Sequence, residues 1–364
     1  MSENKVYTAI GMMSGTSLDG IDVAYVKTDG MDRCELMDFK CFPYNQVQRQ
    51  TIRKAFGSRH QTPETVAAEE VLTDAHIQAL NHFGHKADLV GFHGQTIIHD
   101  PSQRLTWQIG DSQEIANQTG MNVIGDMRQA DVKAGGQGAP LLPLCHRAFA
   151  SLIEKPIAIL NMGGVANLTW LGKERHDILA FDTGPANALM DDLIKRKTGK
   201  DFDFDGSLAA MGKVDTDLID SWLKHPYFDK KPPKSLDRDE WDVSVVYDYK
   251  LEDAVATLAQ FTVQAIIKSL KFLPDTPKVL YAAGGGRKNK YIMKALNEAL
   301  PYPVESVGNI GWNGDGLEAQ GFAYLAVRSL KGLALTLPET TAIKAPATGG
   351  VLYQPSKAAL ARLA

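Results

Sequence analysis

The sequence predicts an α/β fold built as two related lobes with a central cleft between them. Strand-like apolar runs alternate with helix-like amphipathic ones along the chain. Two separate stretches, one opening at Val6 and one near Pro156, each begin with a strand, a glycine-containing turn and a second strand. The 364 residues are enough for two domains, each with its own core.

The elements read in order as follows. Val6 to Ile10 is a strand, and Ile21 to Lys27 is its hairpin partner. Residues 63–82 carry apolar positions near a 3.6 period and read as a helix. Ala87 to Phe92 is a buried strand ending in a polar, glycine-containing turn, Asp111 to Gly120 a helix, and Met121 to Gly125 a short strand. In the second series, IAILNMGG runs into a glycine turn and VANLTWL leaves it. DILAFD is a strand, and PANALMDDLIKRKTG is a helix with an early Pro and a closing Gly199. Residues 251–273 form a long helix, KVLYAAGGG a buried strand, Asn289 to Leu300 a helix, and Gly316 to Lys331 a last helix. A break at Lys155 and Pro156 divides the chain. Residues 1–155 are expected to form an N-terminal lobe joined by part of 332–364, and residues 156–331 a C-terminal lobe.

Composition narrows the function classes. At 44% hydrophobic and 23% charged residues, disorder is excluded. A formal net charge of -4 gives no electrostatic case for nucleic acid. Cys34, Cys41 and Cys145 are odd in number and lack a C-x-x-C, which argues against a disulfide framework or a zinc site and fits a reducing compartment. The apolar stretch near the N-terminus is broken at Ser14, Gly15 and Thr16, and no run approaches the roughly 18 apolar residues of a membrane span. A cytoplasmic protein without a membrane partner is expected.

Three glycine-rich segments suit a nucleotide. In GMMSGTSLDGID, small residues let backbone N–H groups approach an anion, and Asp19 and Asp22 are carboxylates suited to a hydrated Mg²⁺. It is not a Walker A loop, since no Gly-Lys-[Ser/Thr] follows, and a plain hairpin turn is the alternative. NMGGVAN is weak alone and stronger as the second of two matching hairpins. GGGRKN joins a strand to a helix and suits phosphate or a base and ribose, while Asn289 stands where a dinucleotide fingerprint needs glycine.

For chemistry, Asp182 ends the strand DILAFD, where a carboxylate points into the crevice of an open sheet. It is the best general-base candidate, with a turn or helix-capping aspartate as the alternative. His93, Gln95 and Thr96 suit sugar hydroxyls. Arg128, in GDMRQADVKAGGQGAP, suits two-point binding of a carboxylate unless this is a solvated loop. Glu318 falls in the first turn of a helix, where it also complements the helix dipole.

The ordered set GMMSGTSLDGID, GFHGQTI, GDMRQADVKAGGQGAPL, LNMGGVANLT, FDTGPAN, PPKSLDRDEW, AAGGGRKN and GDGLEAQGFAYLA resembles the anhydro-N-acetylmuramic acid kinase family from about residue 8 to 331. Ala186, Gly314 and Tyr324 depart from that family's usual residues. The resemblance implies the two-lobed actin/hexokinase-like (ribonuclease H-like) ATPase fold. It implies ATP contacts at Gly15, Thr16, Ser17, Leu18, Asp19, Gly20, Ile21 and Asp22, at Asn161, Gly163 and Gly164, and at Gly284, Gly285, Gly286 and Asn289. It implies Asp182 as catalytic base, sugar contacts at His93, Arg128 and Glu318, and Mg²⁺ held through water by Asp19 and Asp22. The implied reaction takes 1,6-anhydro-N-acetylmuramic acid, ATP and water to N-acetylmuramic acid 6-phosphate and ADP. An actin- or chaperone-like ATPase and an ordinary sugar kinase are the rival readings. A homodimer is the usual expectation for such enzymes.

Overall fold

The computed structural model describes residues 5–236 and 240–363; the Asp-Arg-Asp stretch of PPKSLDRDEW, residues 237–239, lies outside the described residues. The strands are β1 (Tyr7–Ser14), β2 (Gly20–Thr28), β3 (Cys34–Pro43), β4 (Leu89–Asp100), β5 (Leu105–Ile109), β6 (Val123–Gly125), β7 (Ile157–Met162), β8 (Val165–Leu171), β9 (Ile178–Pro185), β10 (Leu280–Ala283), β11 (Val304–Ser306) and β12 (Val351–Tyr353).

They make two sheets with one topology. In the first, β1, β2 and β3 form an antiparallel meander. Strand β4 lies parallel to β1 on its other side, and β6 lies parallel to β4. The order is β12-β6-β4-β1-β2-β3, with β5 paired to β4. In the second, β7, β8 and β9 form the meander, β10 runs parallel to β7 and β11 parallel to β10, giving β11-β10-β7-β8-β9. Leaving β5 and β12 aside, each sheet is three antiparallel strands followed by two parallel ones on the far side of the first.

The chain divides into one compact unit of Met1–Leu152 with Gly316–Ala364 and a second of Ile153–Asp315. This moves the last long helix, Leu317–Leu330, out of the expected segment 156–331 and into the first unit. The physical reason is burial: Phe322, Ala323 and Ala326 share a core with Ala9 and Leu89 of the first sheet. The approach is so close that a Cβ on Gly11 would lie 1.8 Å from the Ala319 carbonyl oxygen, and one on Gly91 2.1 Å from that of Phe322. Because side chains alternate across a strand, Ile10, Met12, Val90 and Phe92 face the other way and pack with Ala68, Leu72, Ala75 and Ala79 of the helix Pro63–Phe83. That helix begins with Thr62 and Thr65 capping each other reciprocally and Pro63 in its first turn, and ends at left-handed Gly84.

The second unit has one core, in which Ala158, Leu160, Phe181, Met190, Leu258 and Phe261 meet. They come from β7, β9 and the helices Asn187–Thr198 and Leu251–Ser269. Among the described residues no helix is long and apolar enough to cross a membrane.

Candidate active site

In the first unit, the turn joining β1 to β2 closes with the Leu18 amide donating to the Gly15 carbonyl at 3.1 Å. Leu18 is fully buried and takes φ 58°, a costly backbone for a non-glycine residue. Its side chain belongs to the core, so it pins the turn while Thr16, Ser17 and Asp19 stay exposed. Gly15 and Gly20 are half-buried, Ile21 is buried and Asp22 half-buried at the start of β2. Below the turn, the Ser14 hydroxyl donates to Gln95 Oε1 at 2.6 Å and shares a hydrogen bond with the Tyr44 hydroxyl at 2.9 Å.

Strand β4 does not end at Phe92, as its glycine suggested. It bulges: Phe92 pairs with Met12 and Gln95 with Ser14, so His93 and Gly94 together oppose Met13. A bulge of this kind re-aims a side chain. His93 is buried, its Nδ1–H donates to the Gly94 carbonyl at 2.8 Å, and its Nε2 accepts from Arg128 Nε at 3.0 Å. Burial first, and then the Arg128 guanidinium, hold the His93 imidazole well below its ordinary pKa, so it is neutral. Arg128 Nη1 also donates to the Gly138 carbonyl at 2.7 Å, which fixes the guanidinium from two sides. Gly138 is itself held by the buried carboxylate of Asp131, which accepts its N–H at 2.6 Å. GDMRQADVKAGGQGAP is therefore a hydrogen-bonded structure around Arg128. Phe322, from the helix that carries Glu318 in its first turn, lies with its ring 4.5 Å from that of His93. His93, Arg128 and the Glu318 helix are thus brought to one place in this unit.

In the second unit, the turn joining β7 to β8 meets the glycine segment after β10. A Cβ on Gly284 would lie 2.4 Å from Asn161 Oδ1 and 2.7 Å from the Met162 carbonyl oxygen, and Gly284 takes φ 71°. A Cβ on Gly286 would lie 2.6 Å from that of Met162. Only glycine permits this approach. Asn161, Gly163, Gly164, Gly284, Gly285 and Gly286 therefore converge. Asn187 ties them: its Nδ2 donates to the Met162 carbonyl at 2.9 Å and its backbone N–H to the Gly163 carbonyl at 2.9 Å. Nothing in FDTGPAN marks Asn187 for this role in the sequence. Asn289 caps the helix Lys290–Ala299, its Oδ1 accepting from the Ile292 amide at 3.1 Å.

Asp182 lies inside β9, which runs on through Pro185. A second bulge stands beside it: Asn167 pairs with Asp182 and Ala166 with Gly184, leaving Thr183 as the extra residue. Along this edge strand, the Asp182 N–H donates to the Lys234 carbonyl at 2.9 Å, and the Leu236 N–H donates to Asp182 Oδ2 at 2.8 Å. The Tyr227 hydroxyl donates to the Asp182 carbonyl at 2.5 Å. Asp182 caps no helix: the following helix Asn187–Thr198 begins after Ala186.

Among the described residues no three His, Cys, Asp or Glu side chains converge as a metal site. Exposed Asp19 and half-buried Asp22, without a closed cage, suit Mg²⁺, which keeps its waters and takes phosphate oxygens rather than an all-protein shell.

Two sheets of shared topology, each opening on a hairpin with a glycine-lined turn, define the duplicated ribonuclease H-like architecture of actin/hexokinase-like ATPases. The sequence profile of the anhydro-N-acetylmuramic acid kinase family matches residues 7–355, and the chain belongs to that family. An anhydro-N-acetylmuramic acid kinase of Rhizorhabdus wittichii is 45% identical over 95% of this chain and 99% of its own. One of Paramagnetospirillum magneticum is 46% identical over 95% and 99%. A solved ROK family glucokinase from Streptomyces griseus, in complex with glucose and AMPPNP, covers 88% of this chain and 99% of its own at 11% identity and a TM-score of 0.40. That likeness adds nothing to the topology described above.

Proposed function

We propose that this chain is an ATP-dependent kinase that opens 1,6-anhydro-N-acetylmuramic acid with water and phosphorylates O6, giving N-acetylmuramic acid 6-phosphate and ADP during peptidoglycan recycling. The observation that carries the reading is Asp182: in a chain of this family, the carboxylate proposed as base sits on a bulged edge strand with an oxygen oriented by the Leu236 amide.

Asp182 takes one proton from water as that water's oxygen bonds to C1. The C1–O6 bond breaks, and O6 keeps the electron pair and attacks the γ-phosphorus, with ADP as leaving group. The other water proton stays on the new C1 hydroxyl. Gly15 to Asp22, and Asn161 with Gly163, Gly164 and Gly284 to Gly286, are the backbone and small polar groups proposed for ATP. Mg²⁺, when bound, neutralises phosphoryl charge; Asp19 and Asp22 would hold it through water. Neutral His93 and the two-sided clamp on Arg128 preorganise the guanidinium for the lactyl carboxylate. Glu318, on the helix whose Phe322 packs on His93, is the third proposed sugar contact.

The test is ADP release from Mg-ATP across a panel of amino sugars. The expected result is turnover that depends on the anhydro sugar. ADP release independent of any sugar would favour an actin- or chaperone-like ATPase, and turnover with free-hydroxyl sugars alone would favour an ordinary sugar kinase.

A further inference from the structure

The PPKSLDRDEW segment contains a lysine in an unusual place. Lys234 is only 1% exposed, an extreme for this residue type. Its Nζ donates to the Tyr227 carbonyl at 3.0 Å. It lies 4.3 Å from the ring centre of Tyr227, 4.8 Å from that of Phe272 and 5.9 Å from that of Phe181. A buried ammonium in an aromatic cage is costly unless the cage and its hydrogen bond compensate. Mere packing is served better by leucine or methionine.

The same few residues control Asp182. Lys234 receives the Asp182 N–H, Leu236 donates to the Asp182 carboxylate, and Tyr227 donates to the Asp182 carbonyl. The Lys234–Leu236 segment therefore lies along the open edge of β9 and closes it. Lys234 is the anchor of that segment, since its side chain returns to the Tyr227 backbone and so links the two stretches that grip Asp182.

We propose that Lys234 and Tyr227 are positioning residues for the reaction: the caged ammonium anchors the segment whose Leu236 amide orients the Asp182 carboxylate. Neither touches substrate, and the inference rests on Asp182 being the base. Burial first, and then Lys271 and Lys230, bring the Lys234 pKa down to about 8, while Asp229 and Asp182 oppose that fall. The lysine is held against its own desolvation, as an anchor retained for geometry would be. Burial and the nearby charges of Asp182 and Glu240 push the Tyr227 hydroxyl up, so it remains a donor.

The experiment compares Lys234→Met, Tyr227→Phe and Asp182→Asn with the unaltered chain, by steady-state kinetics from pH 5 to 9. For Lys234→Met and Tyr227→Phe, kcat is expected to fall roughly 10- to 100-fold, the scale of a base misplaced by an ångström or less. The KM for ATP should not move. The acid limb of kcat/KM should shift upward by about one unit, because freeing either the Asp182 carbonyl or the Lys234–Leu236 segment lets the carboxylate and the Leu236 amide draw apart, and a carboxylate that loses a hydrogen bond to its charged form is a weaker acid. A purely structural role would lower stability and leave that limb in place, and this result overturns the proposal. Tyr227→Phe removes one hydroxyl from an intact cage and decides the matter if Lys234→Met does not fold. The two failures are distinguishable: near-normal turnover in Asp182→Asn sinks the reading of the base, whereas an inactive Asp182→Asn beside unshifted profiles in the other two sinks the positioning role alone.

Discussion

Among the described residues, the Asp182 N–H meets the Lys234 carbonyl, its carbonyl meets the Tyr227 hydroxyl, and its Oδ2 meets the Leu236 amide. Asp182→Asn keeps an oxygen for the Leu236 amide and removes the base. Turnover should fall by at least ~10², while calorimetric ATP binding stays nearly intact; near-normal turnover would remove Asp182 from its role. Gly284 allows a second test at the level of a single residue. Gly284→Ala would place a methyl 2.4 Å from Asn161 Oδ1 and 2.7 Å from a backbone oxygen, at a φ of 71° that disfavours alanine. Overpacking of this kind costs roughly 1–3 kcal/mol. If that cost falls on the nucleotide contacts, the KM for ATP should rise about tenfold. An unchanged KM would separate the glycine segment from ATP.

The hairpins and the capped helices were legible because local chemistry writes them. Asp111 caps the helix Ser112–Thr119 and Gly120 closes it in the left-handed region. Strand β3 was missed: Cys34–Pro43 has no fully buried residue and no clean apolar alternation, so its pairing with β2 is what defines it. Strand β12 was missed for the same reason, three residues lying against β6 from a tail rich in Thr, Pro and Gly. Glycine misled at β4, where Gly94 marks a bulge and the strand continues to Asp100. Of the site, the glycine segments and Asp182 carry sequence signals. The Lys234 cage and the Arg128–His93 pair depend on residues far apart in the chain. The helix Leu317–Leu330 carries the prediction at this scale. Gly91→Ala would drive a methyl into the Phe322 carbonyl and push that helix off β4. We expect a loss of ~2–3 kcal/mol in urea unfolding, and a disturbed Arg128–His93 pair, since Phe322 packs on His93. An unaltered midpoint would contradict the close packing.

The whole molecule should respond to pH differently in its two units. In the first unit, burial lowers His76 to about 4 and His146 to about 3, and His93 lies well below its ordinary value. The unfolded chain takes up protons below about 6.5 that these folded imidazoles refuse. Their stabilisation is therefore present above that pH and is lost as pH falls towards 4 and 3. In the second unit, Lys234 at about 8 lies below its unfolded value of 10.5, so folding sheds its proton first and stability rises between those two values. Hydrogen exchange resolved by segment should show the first unit weakening on acidification. It should show the second unit gaining protection above about pH 8, a gain absent in Lys234→Met. A single uniform trend across both units would contradict this.

The claim beneath all of this is that water enters at C1 while O6, released from the bridge, passes to the γ-phosphorus. Turnover of the anhydro sugar with Mg-ATP in ¹⁸O-water, read by mass spectrometry of the sugar phosphate at times short against exchange of its anomeric oxygen with solvent, tests it most directly. The account predicts one solvent oxygen at C1 and none in the phosphate. A sugar phosphate without solvent oxygen at C1, or label found in phosphate instead, would contradict it.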